Sequence, residues 1–161
     1  MRSVIKHRRI IADDWRHIDD TEALPEGPVI VSLIRWRRER AALLARGGAL
    51  GVRLPNTAAV AELAAELPYW QVVALEFPKF ADGRAYSQAR LLRERYGYAG
   101  ELRAVGDVLR DQLFFMARTG FDAFELRADC HLEDALAAFN EFSESYQPAA
   151  DQPWPLYRRA R

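Results

Sequence analysis

The 161-residue sequence contains one cysteine, Cys130, so no disulfide can form within a single chain. One thiolate is also too few to hold an iron–sulfur cluster, which rules out a self-contained iron–sulfur enzyme. Histidine is scarce: His7, His17 and His131 are the full set, and their spacing fits no zinc-ligand pattern, so no metal site is expected. Neither sign of charge is in excess, with 23 basic and 23 acidic residues, and bulk charge gives no reason to expect a nucleic-acid partner. Long apolar runs are missing, and Met1 to Ile11 lacks the apolar centre of a secretion signal. No membrane association is expected, and the cytoplasm is the expected location. The G-x-G-x-x-G, G-x-x-x-x-G-K-[ST] and G-x-S-x-G loops are absent as well, so no cofactor is announced by a familiar motif.

Half of the residues are hydrophobic, enough for a substantial core at this length. A single α/β domain over residues 1–146 is expected, followed by an extended, proline-rich tail over 147–161. Within the first 27 residues, Ser3 to Ile11 reads as two short strands around a polar turn, and an acidic linker follows.

From Pro28 the pattern is regular. Five apolar segments read as buried strands: Pro28 to Leu33, Leu50 to Leu54, Gln71 to Phe77, Glu101 to Ala104 and Asp122 to Leu126. Each precedes a helical pattern: Arg35 to Arg46, Thr57 to Leu67, Ala85 to Tyr96, Leu109 to Met116 and Leu132 to Phe142. Alternating strands and amphipathic helices predict a mostly parallel sheet of about five strands with right-handed crossovers. Five units are too few for an eight-stranded barrel. An open, doubly wound sheet is the simpler arrangement, and a partial barrel completed by a second copy is the alternative.

The strand starts at Pro28, Leu50, Gln71, Glu101 and Asp122 are 22, 21, 30 and 21 residues apart. The long interval places an enlarged loop, Phe77 to Arg84, after the third strand. Ligands of parallel α/β sheets gather at the carboxyl ends of strands, which makes this loop the first candidate site. Lys79 and Arg84 are its candidate anion contacts, with Asp82, Gly83, Tyr86 and Ser87 as orienting or capping residues. Gly83 could supply a positive φ angle. A turn at Asp82-Gly83 with Asp82 capping the next helix is the competing structural reading. The loop after the fourth strand adds Arg103 and Arg110 as anion contacts, with Gly106 allowing the turn and Asp107 placed for an N-cap. Asp129-Cys130-His131 sets a thiol at a helix start, either as an activated thiolate or as an inert cysteine among capping neighbours. The catalytic residues are left open.

The run Phe77 to Arg93, continued by Gly100 to Gln112 and by Gly120 to Leu126, resembles a bacterial family, domain of unknown function 934. That family is described as a probable oxidoreductase involved in sulfite reduction. The resemblance spans most of the chain and is densest from Phe77 to Leu126. It implies a place in assimilatory sulfur metabolism and assigns no catalytic residues. Reduction of sulfite needs many electrons, normally carried by flavin, iron–sulfur or haem-type centres. The chain offers no such motif. The expected role is therefore that of an accessory protein assisting the assembly of sulfite reductase or electron delivery to it. The alternative is a small oxidoreductase or other enzyme taking an anionic substrate or cofactor at the loops after strands three and four. Sulfite reductase, a small anion and a second copy of the chain are the candidate partners.

Overall fold

The computed structural model describes residues 2–79 and 83–145. The expected tail at 147–161 and Asp82 lie outside the described residues. The strands are β1 (Ser3–Lys6), β2 (Arg9–Ala12), β3 (Arg16–His17), β4 (Val29–Ser32), β5 (Leu50–Leu54), β6 (Val72–Phe77), β7 (Glu101–Gly106) and β8 (Ala123–Phe124). The α-helices are α1 (Leu33–Ala45), α2 (Arg84–Arg90), α3 (Leu113–Thr119) and α4 (Leu132–Ser145). A 3-10 stretch, Val60–Tyr69, joins β5 to β6, and a second, Arg110–Gln112, leads into α3. A π turn, Leu91–Arg95, extends α2.

All five strands expected from Pro28 onward form, as does the N-terminal hairpin, in which Lys6 pairs with Arg9 across a two-residue turn. The sheet as a whole differs from the expectation. Among the described residues it has eight strands in the order β2-β1-β8-β7-β6-β5-β4-β3 and is mixed. β3 to β8 run parallel, whereas β1 is antiparallel to both β2 and β8. The hairpin does not stand apart from the repeated units: it extends their sheet, and this was invisible in sequence because edge pairing depends on distant residues.

The two ends of this order are neighbours in the chain. Only Asp13, Asp14 and Trp15 separate β2 from β3. At about 4.8 Å between strands, a flat sheet of this width would hold its edges more than about 30 Å apart. The connecting backbone can span at most about 14 Å. The sheet must therefore curl, and one extended run closes it. The Asp13 N–H donates to the Arg2 carbonyl (2.9 Å) on one edge, while Arg16 and Ile18 donate to Pro28 (3.2 Å) and Ile30 (3.1 Å) on the other.

Curling gives the sheet an outside and an inside. The outside carries Val29, Val31, Val52, Leu54, Val73, Leu75, Phe77, Leu102, Ala104 and Phe124, all buried beneath the helices in one core. Trp36, Leu43, Leu63, Leu67, Ala89, Leu92, Met116 and Phe139 meet them from the helical layer. Among the described residues helices thus cover one face alone, so the sheet is not doubly wound. The inside holds a small apolar cluster of Ile30, Val72, Ala74 and Val105 with Trp15 against it. Gly51 belongs to this crowded side, where an added Cβ would lie 2.9 Å from Val72 Cβ.

Candidate functional site

The remaining inward positions are charged. Because side chains alternate along a strand, Arg53 on β5, Glu76 on β6 and Glu101 and Arg103 on β7 point opposite to the apolar residues between them. Arg103 is 1% exposed and sits among three carboxylates. Its Nε donates to Glu101 (2.7 Å), and its Nη1 to Asp13 (3.0 Å) and Glu125 (3.0 Å). Lys6 reaches the other Glu101 oxygen (2.7 Å), and Arg2 reaches Glu125 (2.7 Å) and Asp13 (3.3 Å). His17 Nε2 lies 2.7 Å from Glu125, and its Nδ1 lies 3.1 Å from Arg53 Nη1. A guanidinium only donates, so His17 Nδ1 accepts from Arg53, and the ring proton is on Nε2 facing Glu125. Arg53 Nε completes the path at Glu76 (2.9 Å).

A connected series of charges thus runs round the inside of the curl from Lys6 to Glu76. Burial alone would raise the Glu125 carboxyl, but hydrogen bonds from His17 and Arg103 outweigh it and hold the group down at about 2. Burial would likewise lower Arg103, and the charge of Glu101 with bonds to Asp13 and Glu125 reverses this and raises it. Both groups are locked in their charged forms. Among the described residues no group of three or more His, Cys, Asp or Glu side chains is placed to hold a metal ion.

The series ends at a cleft. Arg53 and Glu76 form part of the lining of a space of about 540 Å³ at the carboxyl ends of β4, β5 and β6. Ser32, Arg37, Thr57 and Glu62 complete its polar lining; Leu33, Ile34, Pro55, Ala58 and Ala59 are its apolar part. Ser32 caps α1 by accepting from the Arg35 N–H (3.0 Å) and donates its own proton to Asp20 (2.5 Å).

The residues read from sequence are distributed differently. Arg103 is inside the curl with its charge matched, whereas α2 and α3 lie on the outer face. The anion cluster of Arg103 with Arg84 and Arg110 does not form, because β7 separates them. Arg84 opens α2 and is exposed; Arg110 is exposed and 3.7 Å from Asp111; Lys79 and Ser87 are exposed. Gly83 has φ −86°, so it supplies no left-handed turn. Tyr86 packs its ring on Phe77 (5.2 Å) and Phe115 (5.0 Å), and burial raises its hydroxyl pKa. Gly106 does adopt a positive φ, +96°, and a Cβ there would lie 2.6 Å from the Phe77 carbonyl. Asp107 does not occupy the N-cap position, which Leu109 takes ahead of the 3-10 turn. The Asp107 N–H donates to Phe77 (2.8 Å) and its carboxylate pairs with Arg127 (3.0 Å), tying the loop after β7 to the end of β6 and to the segment after β8. Cys130 lies just before α4, 3.9 Å from an Asp129 oxygen, beside a second space of about 290 Å³ shared with Arg110 and His131.

Of the inner charges only Arg103 stood out in the sequence, and as an anion contact, although a signal for the others was present. Arg53, Glu76, Glu101 and Arg103 interrupt otherwise apolar strands at alternating positions, as residues on one shared polar face must.

The fold and its interior define a mixed α/β protein with a curled sheet, an apolar outer layer and a charged inner face. Residues 51–157 match the family described as "Bacterial protein of unknown function (DUF934)". The chain belongs to that family, as its motifs had indicated. No curated protein matches it. Among the described residues no helix is long and apolar enough to cross a membrane.

Proposed function

We propose that this protein is an accessory component of assimilatory sulfite reduction, assisting sulfite reductase assembly or electron delivery, and that it holds a small anionic group in the cleft beside Arg37 and Arg53. The cleft carries the ligand part of this reading. It lies at the carboxyl ends of three adjacent parallel strands, where α/β sheets generally receive ligands, and two guanidinium groups line it. The sulfur-metabolism part rests on the resemblance of Phe77 to Leu126. Relative to the sequence reading, the anion contacts move from Lys79, Arg84, Arg103 and Arg110 to Arg37 on α1 and Arg53 on β5.

The test is a gene deletion scored for growth on sulfate and on cysteine, complemented by the wild type or by Arg37→Ala. Growth on cysteine alone, restored by the wild type and poorly by Arg37→Ala, is the expected result. Undiminished growth on sulfate, in a strain shown to lack a redundant gene, would remove the sulfur-pathway assignment. Separately, sulfite or sulfate should raise the melting temperature of the wild type, and the increment should shrink in Arg37→Ala.

A further inference from the structure

The cleft is not uniformly basic. Arg37 and Arg53 share it with Glu62 and Glu76, and the two pairs differ in state. Arg53 and Glu76 are bonded to each other in its wall (2.9 Å). Arg37, on α1, and Glu62, on the 3-10 stretch Val60–Tyr69, face the same space from different elements, and among the described residues neither has an ion-pair partner. Opposite charges that share a cleft without touching leave a gap with a positive and a negative end. With Arg53 and Glu76 matched to each other, an anion would use Arg37 and leave Glu62 unmatched, and a cation would do the reverse. A ligand carrying both charges satisfies both ends. The same cleft has an apolar part that includes Ile34, which is 67% exposed despite its hydrophobic side chain, with Pro55 and Ala58.

We infer that the cleft binds a free amino acid as its zwitterion, with the carboxylate on Arg37, the ammonium on Glu62 and an uncharged side chain along Ile34 and Pro55. This rests on the reading of the cleft as the ligand site and narrows its ligand class. Arg53 and Glu76 act as a fixed dipole in the wall, held in register by His17 on the far side of the guanidinium (3.1 Å). The volume accommodates any of the uncharged side chains. Selectivity would then come from the apolar lining, whereas the two charged ends would read only the part common to all amino acids.

The test uses the full chain and calorimetric titration with each common amino acid singly, with sodium sulfite and sodium sulfate as parallel arms. At least one amino acid should bind. Its N-acetyl and carboxamide derivatives should each bind about tenfold more weakly, the worth of one charge-assisted hydrogen bond. Arg37→Ala should weaken the parent amino acid while binding the carboxamide as well as the wild type does. Glu62→Gln should show the same pattern with the N-acetyl derivative. Both side chains are exposed, so the melting temperature without ligand should stay unchanged and binding losses cannot be put down to unfolding. Derivatives that bind as tightly as the parent would overturn the zwitterion. Binding of sulfite or sulfate with no response to any amino acid would also overturn it, leaving the anion-site reading intact. Silence in every arm would remove both.

Discussion

The two faces of the curled sheet are built by different physics. Outside, β4 to β8 present Val, Leu and Phe side chains to the helices, and burial of their area stabilises the contact without directional demands. Inside, Arg103 is stabilised only while Asp13, Glu101 and Glu125 stand within about 3 Å of it, each delivered by a different stretch of chain. Apolar burial can hold layers together in more than one register. A buried guanidinium with matched carboxylates accepts one arrangement, because any other leaves charges unpaired in a poorly solvated space. The inner face therefore ties the N-terminal run to β7 and β8, and the outer face supplies the bulk of the burial.

The sharpest way to break this contrast is Arg103→Met. It nearly keeps the volume but takes from Asp13, Glu101 and Glu125 the one guanidinium they share, leaving them to Arg2, Lys6 and His17, and should cost about 4 kcal/mol, within the range for breaking a buried ion pair. Urea unfolding would measure it, and a loss below about 1 kcal/mol would mean that the network is solvated and incidental. Next is Leu75→Ala on the outer face, fully buried between β6 and the helices, which should cost about 3 kcal/mol by cavity formation. Unlike Arg103→Met, its effect should be independent of pH between about 5 and 8, since no titrating group changes partner.

Acid should act on the inner face first. The Glu125 carboxyl is held at about 2 against an ordinary value of 4.5, so its contribution is complete above the ordinary value and is lost as pH falls from there towards 2. Glu125→Gln should remove most of that slope in stability measured across this window, and an unchanged slope would place the acid sensitivity elsewhere. The smallest effect belongs to Ser32→Ala, which removes the cap of α1 and its bond to Asp20 at the edge of the cleft. About 1 kcal/mol is expected from thermal unfolding.

How much of this was legible varies with the range of the interactions. The strands from Val29 to Phe124 and the helices between them followed from local periodicity, because each element buries a face that its own residues define. Helix type was less legible. Thr57 to Leu67 reads as an amphipathic helix but forms a 3-10 stretch, Val60–Tyr69, that contains Pro68, whose ring and missing N–H oppose an α-helical hydrogen bond. The candidate site was legible only as a location. The sequence pointed to the carboxyl edge of the sheet at the loops after the third and fourth strands; Arg53 and Glu76 were visible as polar interruptions of their own strands, but nothing in the spacing joins them to Arg37 and Glu62, which come from separate elements. Arg103 was read as an anion contact because an arginine in a strand next to a loop looks the same whether it points out to solvent or in to three carboxylates.

Local chemistry alone was thus enough for the alternation of apolar strands and helices, the hairpin at Lys6 to Arg9, and the glycine turn at Gly106. Each depends on residues close together in the chain. Closure of the sheet, the meeting of Asp13 and His17 with Glu125, and the cleft beyond Arg53 came from the three-dimensional fold. Their partners lie up to about a hundred positions apart, and only the short link Asp13 to Trp15, too short to cross a flat sheet, forces them onto one interior.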